Sequence, residues 1–273
     1  HRIFQAQDYK SIDKIYLDSD TVRITLDFNG TRWRVNNKYD ADGTMINVLF
    51  ATLQQARPKR SVGIGQKDSV YQQITKTGIK VSLLEGNAVR KEFIAGGNTA
   101  KTQAYFAEPS TLDVYVMSIP GYRVYVSGIF EMKESGWRDK TVFSFNWRNF
   151  KSMEARFQPS SAENFIVSLN NGFFGIQGMD TDTVKLNAFF DNLFALSVDE
   201  FIHDNGVKDS IGRMPHVADF TVTDVANRTY RLKLFTKDGQ TRVMGLIQDS
   251  QLAIFDRRKI QPLLRTKSFF RKK

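Results

Sequence analysis

The chain has no cysteine. That absence excludes a disulfide framework, a thiolate zinc site and a cysteine nucleophile together. Histidine is scarce: His1, His203 and His216 are all there is. No two of them stand at the i, i+4 spacing that aims a pair of imidazoles at one metal from one helix face. Long apolar runs are missing too, because charged and polar residues interrupt every stretch well short of the roughly 20 residues that a membrane-spanning helix needs. The strained Gly-x-Ser-x-Gly turn of a hydrolase nucleophile does not occur. The first residue is His1 rather than methionine, so the sequence reads as a processed or trimmed product, with room ahead of it for a signal or anchor segment.

What is present is a folding composition. Of 273 residues, 41% are hydrophobic, with 22 Phe, 9 Tyr and 3 Trp, enough apolar surface to offset chain entropy. The length exceeds one ordinary domain of about 100 to 150 residues, which favours two units. The net charge of +10 is unevenly placed. Arg257, Arg258, Lys259, Arg265, Lys267, Arg271, Lys272 and Lys273 stand in a stretch without an acid and leave only +2 for the other 256 residues. This reads as a basic tail on a nearly balanced body. A solvated end is the simpler reading, and contact with an anionic partner is the functional one.

Self-similarity fixes the organisation. Asp40-Ala-Asp42 followed by Ile46, Leu49 and Leu53 recurs as Asp180-Thr-Asp182 followed by Leu186, Phe189 and Leu193, at a constant offset of 140. Both are amphipathic helices with an aspartate placed to cap the first turn. Ahead of each lies an alternating run, 22–28 and 165–169, ended by Asn29-Gly30 and Asn171-Gly172, the signature of a tight hairpin. The returning strands carry Trp33 with Val35 and Phe174 with Ile176. Further strands follow at 79–83 and 89–94, and at 220–222 and 230–235. The ends agree as well: 112–116 matches 252–255, and Trp137-Arg-Asp-Lys140 matches Phe270-Arg-Lys-Lys273. The expected architecture is α+β, two tandem copies of a mainly antiparallel sheet unit, each with a packed amphipathic helix. The expected domains are 1–145 and 146–273, the second ending in the basic tail.

Ile12-Asp-Lys-Ile15, Trp33-Arg-Val35, Tyr39-Asp-Ala-Asp42 and Gly136-Trp-Arg-Asp-Lys140 give the chain a resemblance to the domain of unknown function 4340 family, across nearly its whole length. The resemblance implies a tandem unit behind an N-terminal membrane anchor in a bacterial envelope. It also implies kinship with auxiliary components of gliding-type ABC transporters. It assigns no catalytic residue.

Other chemistries are weighed on their residues. Gly63-Ile-Gly65-Gln-Lys67-Asp-Ser69 lacks the four-residue gap of a phosphate loop and reads as an ordinary loop. Asp40-Ala-Asp42-Gly43 opens like a calcium loop, but Thr44 and Ala51 stand where further ligands belong. His203 and His216 flank Asp204, Asp209 and Ser210 in what reads as a polar insertion of the second copy alone, the one place where a hydrolytic site is conceivable. Glu200 and Asp204 read as a surface pair. Trp33, Phe173, Phe174, Phe189 and Phe190 read as core rather than as stacking platforms. The expectation is a non-catalytic, envelope-associated interaction or accessory module with no cofactor and no metal, the periplasmic soluble part of a membrane-anchored protein, binding an envelope protein. One alternative is binding of anionic lipid or nucleic acid through the eight basic residues. The other is a hydrolase with its site near His203 and His216.

Overall fold

The computed structural model describes residues 4, 9–203, 206, 210–211, 214–235 and 239–273. The chain divides into two compact units, 1–139 and 140–273.

In the first unit, strands β1 (Lys14–Asp18), β2 (Arg23–Phe28), β3 (Trp33–Val35) and β4 (Tyr39–Asp40) lead into helix α1 (Gly43–Gln55). Strand β5 (Arg57–Ser61) and helix α2 (Ile64–Thr77) follow. Strands β6 (Ile79–Glu85), β7 (Ala88–Gly97), β8 (Ala104–Glu108) and β9 (Asp113–Ser118) then complete an antiparallel sheet in the order β4-β3-β2-β1-β6-β7-β8-β9-β5. Alternation in β1 and β2 places Ile15, Leu17, Ile24 and Leu26 on one buried face. Ile15 lies opposite both Leu26 and Leu83, so this register centres the core on β1. Helix α1 lays Ile46, Leu49 and Leu53 into that core. Ile74 of α2 packs instead with Ala107, Val114 and Val116, the alternate residues of β8 and β9, and so covers the opposite face.

The second unit repeats the plan. Strands β10 (Phe150–Phe157), β11 (Phe165–Asn170) and β12 (Phe173–Ile176) precede helix α4 (Thr183–Phe194), the counterpart of α1. Strands β13 (Glu200–Phe201), β14 (Ala218–Asp224), β15 (Thr229–Phe235), β16 (Arg242–Ile247) and β17 (Gln251–Asp256) complete a sheet ordered β12-β11-β10-β14-β15-β16-β17-β13. Strand for strand this is the first sheet without β4. In both units the chain leaves one sheet edge, crosses in a helix to the far edge, and only then fills the middle. An α+β fold of two antiparallel sheet units is therefore the observed class.

Local chemistry accounts for the shared elements. Asp42 accepts from the N–H of Thr44 at 2.8 Å and Asp182 from that of Lys185 at 3.1 Å, so each helix has its side-chain cap. The Asn171-Gly172 turn has both residues at positive φ, 51° and 82°, the two-residue hairpin that matches strand twist. The first copy takes a wider turn, in which the Asn29 side chain accepts from the N–H groups of Thr31 and Arg32.

Three expectations change. The junction falls at 139/140 rather than 145/146, because Val142, Phe143 and Phe145 pack into the second core. Residues 63–69 are not a loop, since α2 begins at Ile64 without a side-chain cap. The span around His203 to His216 is not an addition to the second copy. It occupies the place in the chain that α2 holds in the first, and Ile211 packs there with Phe235, Leu246 and Leu252.

Candidate functional site: a groove built twice

After its last strand each unit ends in a closing segment. In the first unit it runs through a 3-10 turn, Val126–Ile129, to the short helix α3 (Glu134–Trp137). In the second it runs through helix α5 (Arg257–Ile260) and 3-10 turns at Gln261–Leu263 and Lys267–Phe270. Both segments return to the start of the unit's main helix. The N–H of Asp42 donates to the Trp137 carbonyl at 2.8 Å, and that of Asp182 donates to the Phe270 carbonyl at 2.8 Å. Ala41 bridges Arg138 as Thr181 bridges Arg271. The segments are thus in register at an offset of 133 (270 minus 137). Their anchors coincide: Ser127, Phe130 and Trp137 in one, Ile260, Leu263 and Phe270 in the other, all 0% exposed.

Residues 257–273 are therefore a folded closure rather than a tail, because three of their side chains complete the core. Their charges are in part committed as well. The Asp256 carboxylate caps α5 and takes both ends of the Arg258 guanidinium, which with the Arg258 N–H holds its pKa down to about 2. Lys259 donates to Asp199 at 2.6 Å and to the Ser197 carbonyl at 3.2 Å. Arg257 donates to the Gln240 carbonyl. The Arg265 guanidinium lies 4.7 Å from the centre of the Phe269 ring. Lys267 is half-buried, and Arg271, Lys272 and Lys273 are exposed at the end. The eight cations are thus dispersed: Arg258 and Arg265 line one groove, Arg257 and Lys259 bond within the fold, and Arg271, Lys272 and Lys273 are exposed at the end.

Between the main helix and the closing segment lies a groove, of about 550 Å³ in the first unit and about 450 Å³ in the second. Seven corresponding positions line both. On the helix, Met45, Val48 and Thr52 correspond at the offset of 140 to Lys185, Ala188 and Asn192. On the closing segment, Tyr125, Gly128, Ile129 and Met132 correspond at the offset of 133 to Arg258, Gln261, Pro262 and Arg265. Three apolar or aromatic positions of the first groove, Met45, Tyr125 and Met132, thus carry Lys185, Arg258 and Arg265 in the second. The first groove leaves Val48, Tyr122 and Val124 exposed. Phe269 extends the wall of the second, and Lys185 lies 5.1 Å over its ring and donates to its carbonyl at 3.2 Å. Sequence reasoning did not find this site, because its walls come from segments about 80 residues apart. The two offsets, 140 and 133, were the available signal.

Other sequence candidates resolve individually. Asp40 takes Arg32 at 2.6 Å and also takes Arg34. Burial alone would raise its carboxyl, but these donors outweigh burial and hold it below the ordinary range. With Asp42 capping α1, the calcium-like opening is committed to the scaffold. His203 is exposed, and the His216 ring sits 6.4 Å from that of Phe235. His1, Asp204 and Asp209 lie outside the described residues. Ser210 donates to the Gly206 carbonyl at 3.4 Å. Glu200 pairs with Arg242. Phe189 and Phe190 are core, Trp33 and Phe174 are half-buried against it, and Phe173 is 70% exposed at the sheet edge, contrary to its reading as core. Among the described residues that strand has no counterpart of β4 beyond it. In the first unit the Tyr125 hydroxyl donates to Glu131 at 2.7 Å while Lys101 pairs with the same carboxylate, and burial, with that hydrogen bond, raises the phenol. Among the described residues no three His, Cys, Asp or Glu side chains cluster as a metal site would require.

No curated protein and no solved structure matches the chain. The family described as Domain of unknown function (DUF4340) matches residues 33–212, from β3 of the first unit into the second. That covers well over half of the sequence and includes Trp33-Arg-Val35, the Tyr39 to Asp42 motif and the end of the first closing segment. The chain belongs to the domain of unknown function 4340 family.

Proposed function

We propose that the chain is a non-catalytic accessory module of the bacterial cell envelope, the soluble part of a membrane-anchored protein, whose task is to hold a protein partner. The observation that carries this reading is the duplicated groove. Each unit closes its core at the same three anchor positions yet leaves a concavity between helix and closing segment that the fold itself does not fill. The disposition of polar side chains supports it, since Asp40, Asp42, Asp182 and Asp256 are engaged in caps and ion pairs. The envelope setting and the anchor rest on family resemblance.

A site-specific crosslink tests the proposal. A photo-reactive residue at Tyr122, 66% exposed at the first groove, is compared with one at Lys59 on the exposed edge strand β5. The reading expects an envelope protein attached from position 122 in the host and not from position 59. Equal capture from both, or attachment of cytoplasmic proteins alone, contradicts it.

A further inference from the structure

We propose that the groove of the second unit is the seat of an acidic peptide segment that carries an apolar or aromatic side chain beside its carboxylates. This rests on the module reading and names the chemistry of the partner it holds. Two copies of one groove share a frame so closely that six fully buried anchors correspond, three in each unit. Against that constant frame three lining positions become cationic. In the second unit the three cations line the groove, whereas their first-unit counterparts Met45, Tyr125 and Met132 also pack against the edge of the core.

The charges differ in how far they are satisfied. Arg258 is held by Asp256. Lys185 pairs with Asp182 at 3.5 Å and donates to the Phe269 carbonyl at 3.2 Å. Arg265 meets the Phe269 ring, and among the described residues no carboxylate pairs with it. An arginine stacked on an aromatic face keeps its N–H edge available for a bidentate carboxylate. Ala188, Phe189, Pro262 and Phe269 supply an apolar floor beneath these cations. A site with a cationic rim over an aromatic and aliphatic floor complements an acidic segment with a hydrophobic side chain. A headgroup alone would leave the floor unused. A nucleic acid would call for a stripe of cations along an extended face, whereas Arg271, Lys272 and Lys273 stand apart from the groove lining.

The test uses the full chain and a fluorescein-labelled decapeptide in which glutamates flank one phenylalanine, with fluorescence anisotropy as the readout. The expected result is saturable binding that weakens as salt rises from about 50 to about 500 mM. The variant Lys185→Met with Arg265→Met installs the first unit's own residues and so suits the frame. It should weaken binding about tenfold, as the loss of two partly exposed ion pairs implies. Lys185→Arg alone keeps the charge of a point contact and should retain binding within about threefold. Lys272→Ser with Lys273→Ser should leave it within about twofold, since those residues lie outside the groove. Wild-type affinity in the double methionine variant overturns the proposal, as does equal loss in the terminal control. Equal binding of the same peptide with glutamine for glutamate overturns it too. So does binding of phosphatidylglycerol vesicles with none of the peptide. The crosslink described above reads the first unit, so a failed peptide experiment leaves the module reading to stand or fall on its own result.

Discussion

Replacing Phe270 with alanine unfastens the second unit if residues 257–273 close its core. The Phe270 ring is 0% exposed and lies 5.3 Å from that of Phe165 and 5.5 Å from that of Phe189. Burying such a side chain is worth about 1.5 to 3 kcal/mol. An unrelaxed void of roughly 100 Å³, at about 24 cal/mol per Å³, adds about 2.4 kcal/mol. Partial collapse brings the expected cost to about 3 to 5 kcal/mol, the usual range for removing a buried aromatic ring. That is a large share of the 5 to 15 kcal/mol that holds a typical domain together. Urea denaturation followed by far-UV circular dichroism measures the loss, and limited proteolysis locates it. Cleavage should appear within 183–194 and 257–273 under conditions where 43–55 stays intact. A shift below about 1 kcal/mol with an unchanged cleavage pattern would refute the closure.

Asp42→Ala removes the cap of α1 and should cost about 1 kcal/mol by thermal melting. Asp182→Ala should lower the melting temperature in the same direction, since each unit caps its own helix. Lowering the pH should weaken the α5 anchorage through Asp256. Its folded pKa of about 2 lies below its ordinary 3.8, so its stabilisation is present above 3.8 and lost as pH falls toward 2. Asp256→Asn should flatten melting temperature against pH across that window, and an unchanged slope would contradict the assignment. Gly97→Ala puts a Cβ 2.4 Å from the Tyr125 hydroxyl oxygen and 2.6 Å from the Gln103 carbonyl oxygen. The backbone oxygen cannot yield cheaply, so denaturation should show a loss of about 1 to 3 kcal/mol.

Legibility in the sequence tracked the range over which the signal is written. The capped helices α1 and α4 were legible because cap and apolar spacing lie within one short window, and both begin within a residue of Asp42 or Asp182. Strands β2, β6, β7, β14 and β15 were legible from alternation. The short strands β5 and β13 were not: β5 reads Arg-Pro-Lys-Arg-Ser with no buried residue, and only its pairing with β9 makes it a strand. Helix α2 was hidden because glycines near its start and a polar exposed face resemble a loop, with Ile74 its one buried side chain. The closing segment misled for another reason. Eight cations in seventeen residues dominate its composition, while its structure is set by Ile260, Leu263 and Phe270. The groove could not be read from either segment alone, since it exists only where the two offsets meet.

Amide hydrogen exchange across 257–273 in the intact chain, read by mass spectrometry, addresses the duplicated closure most directly. Protection at 260–264 and 269–272 comparable to that at 127–139 is the predicted outcome, because Lys272 and Asp182 donate into the same pairing that Asp139 and Asp42 make in the first unit. Exchange of the whole segment within seconds, beside a protected first unit, would contradict it.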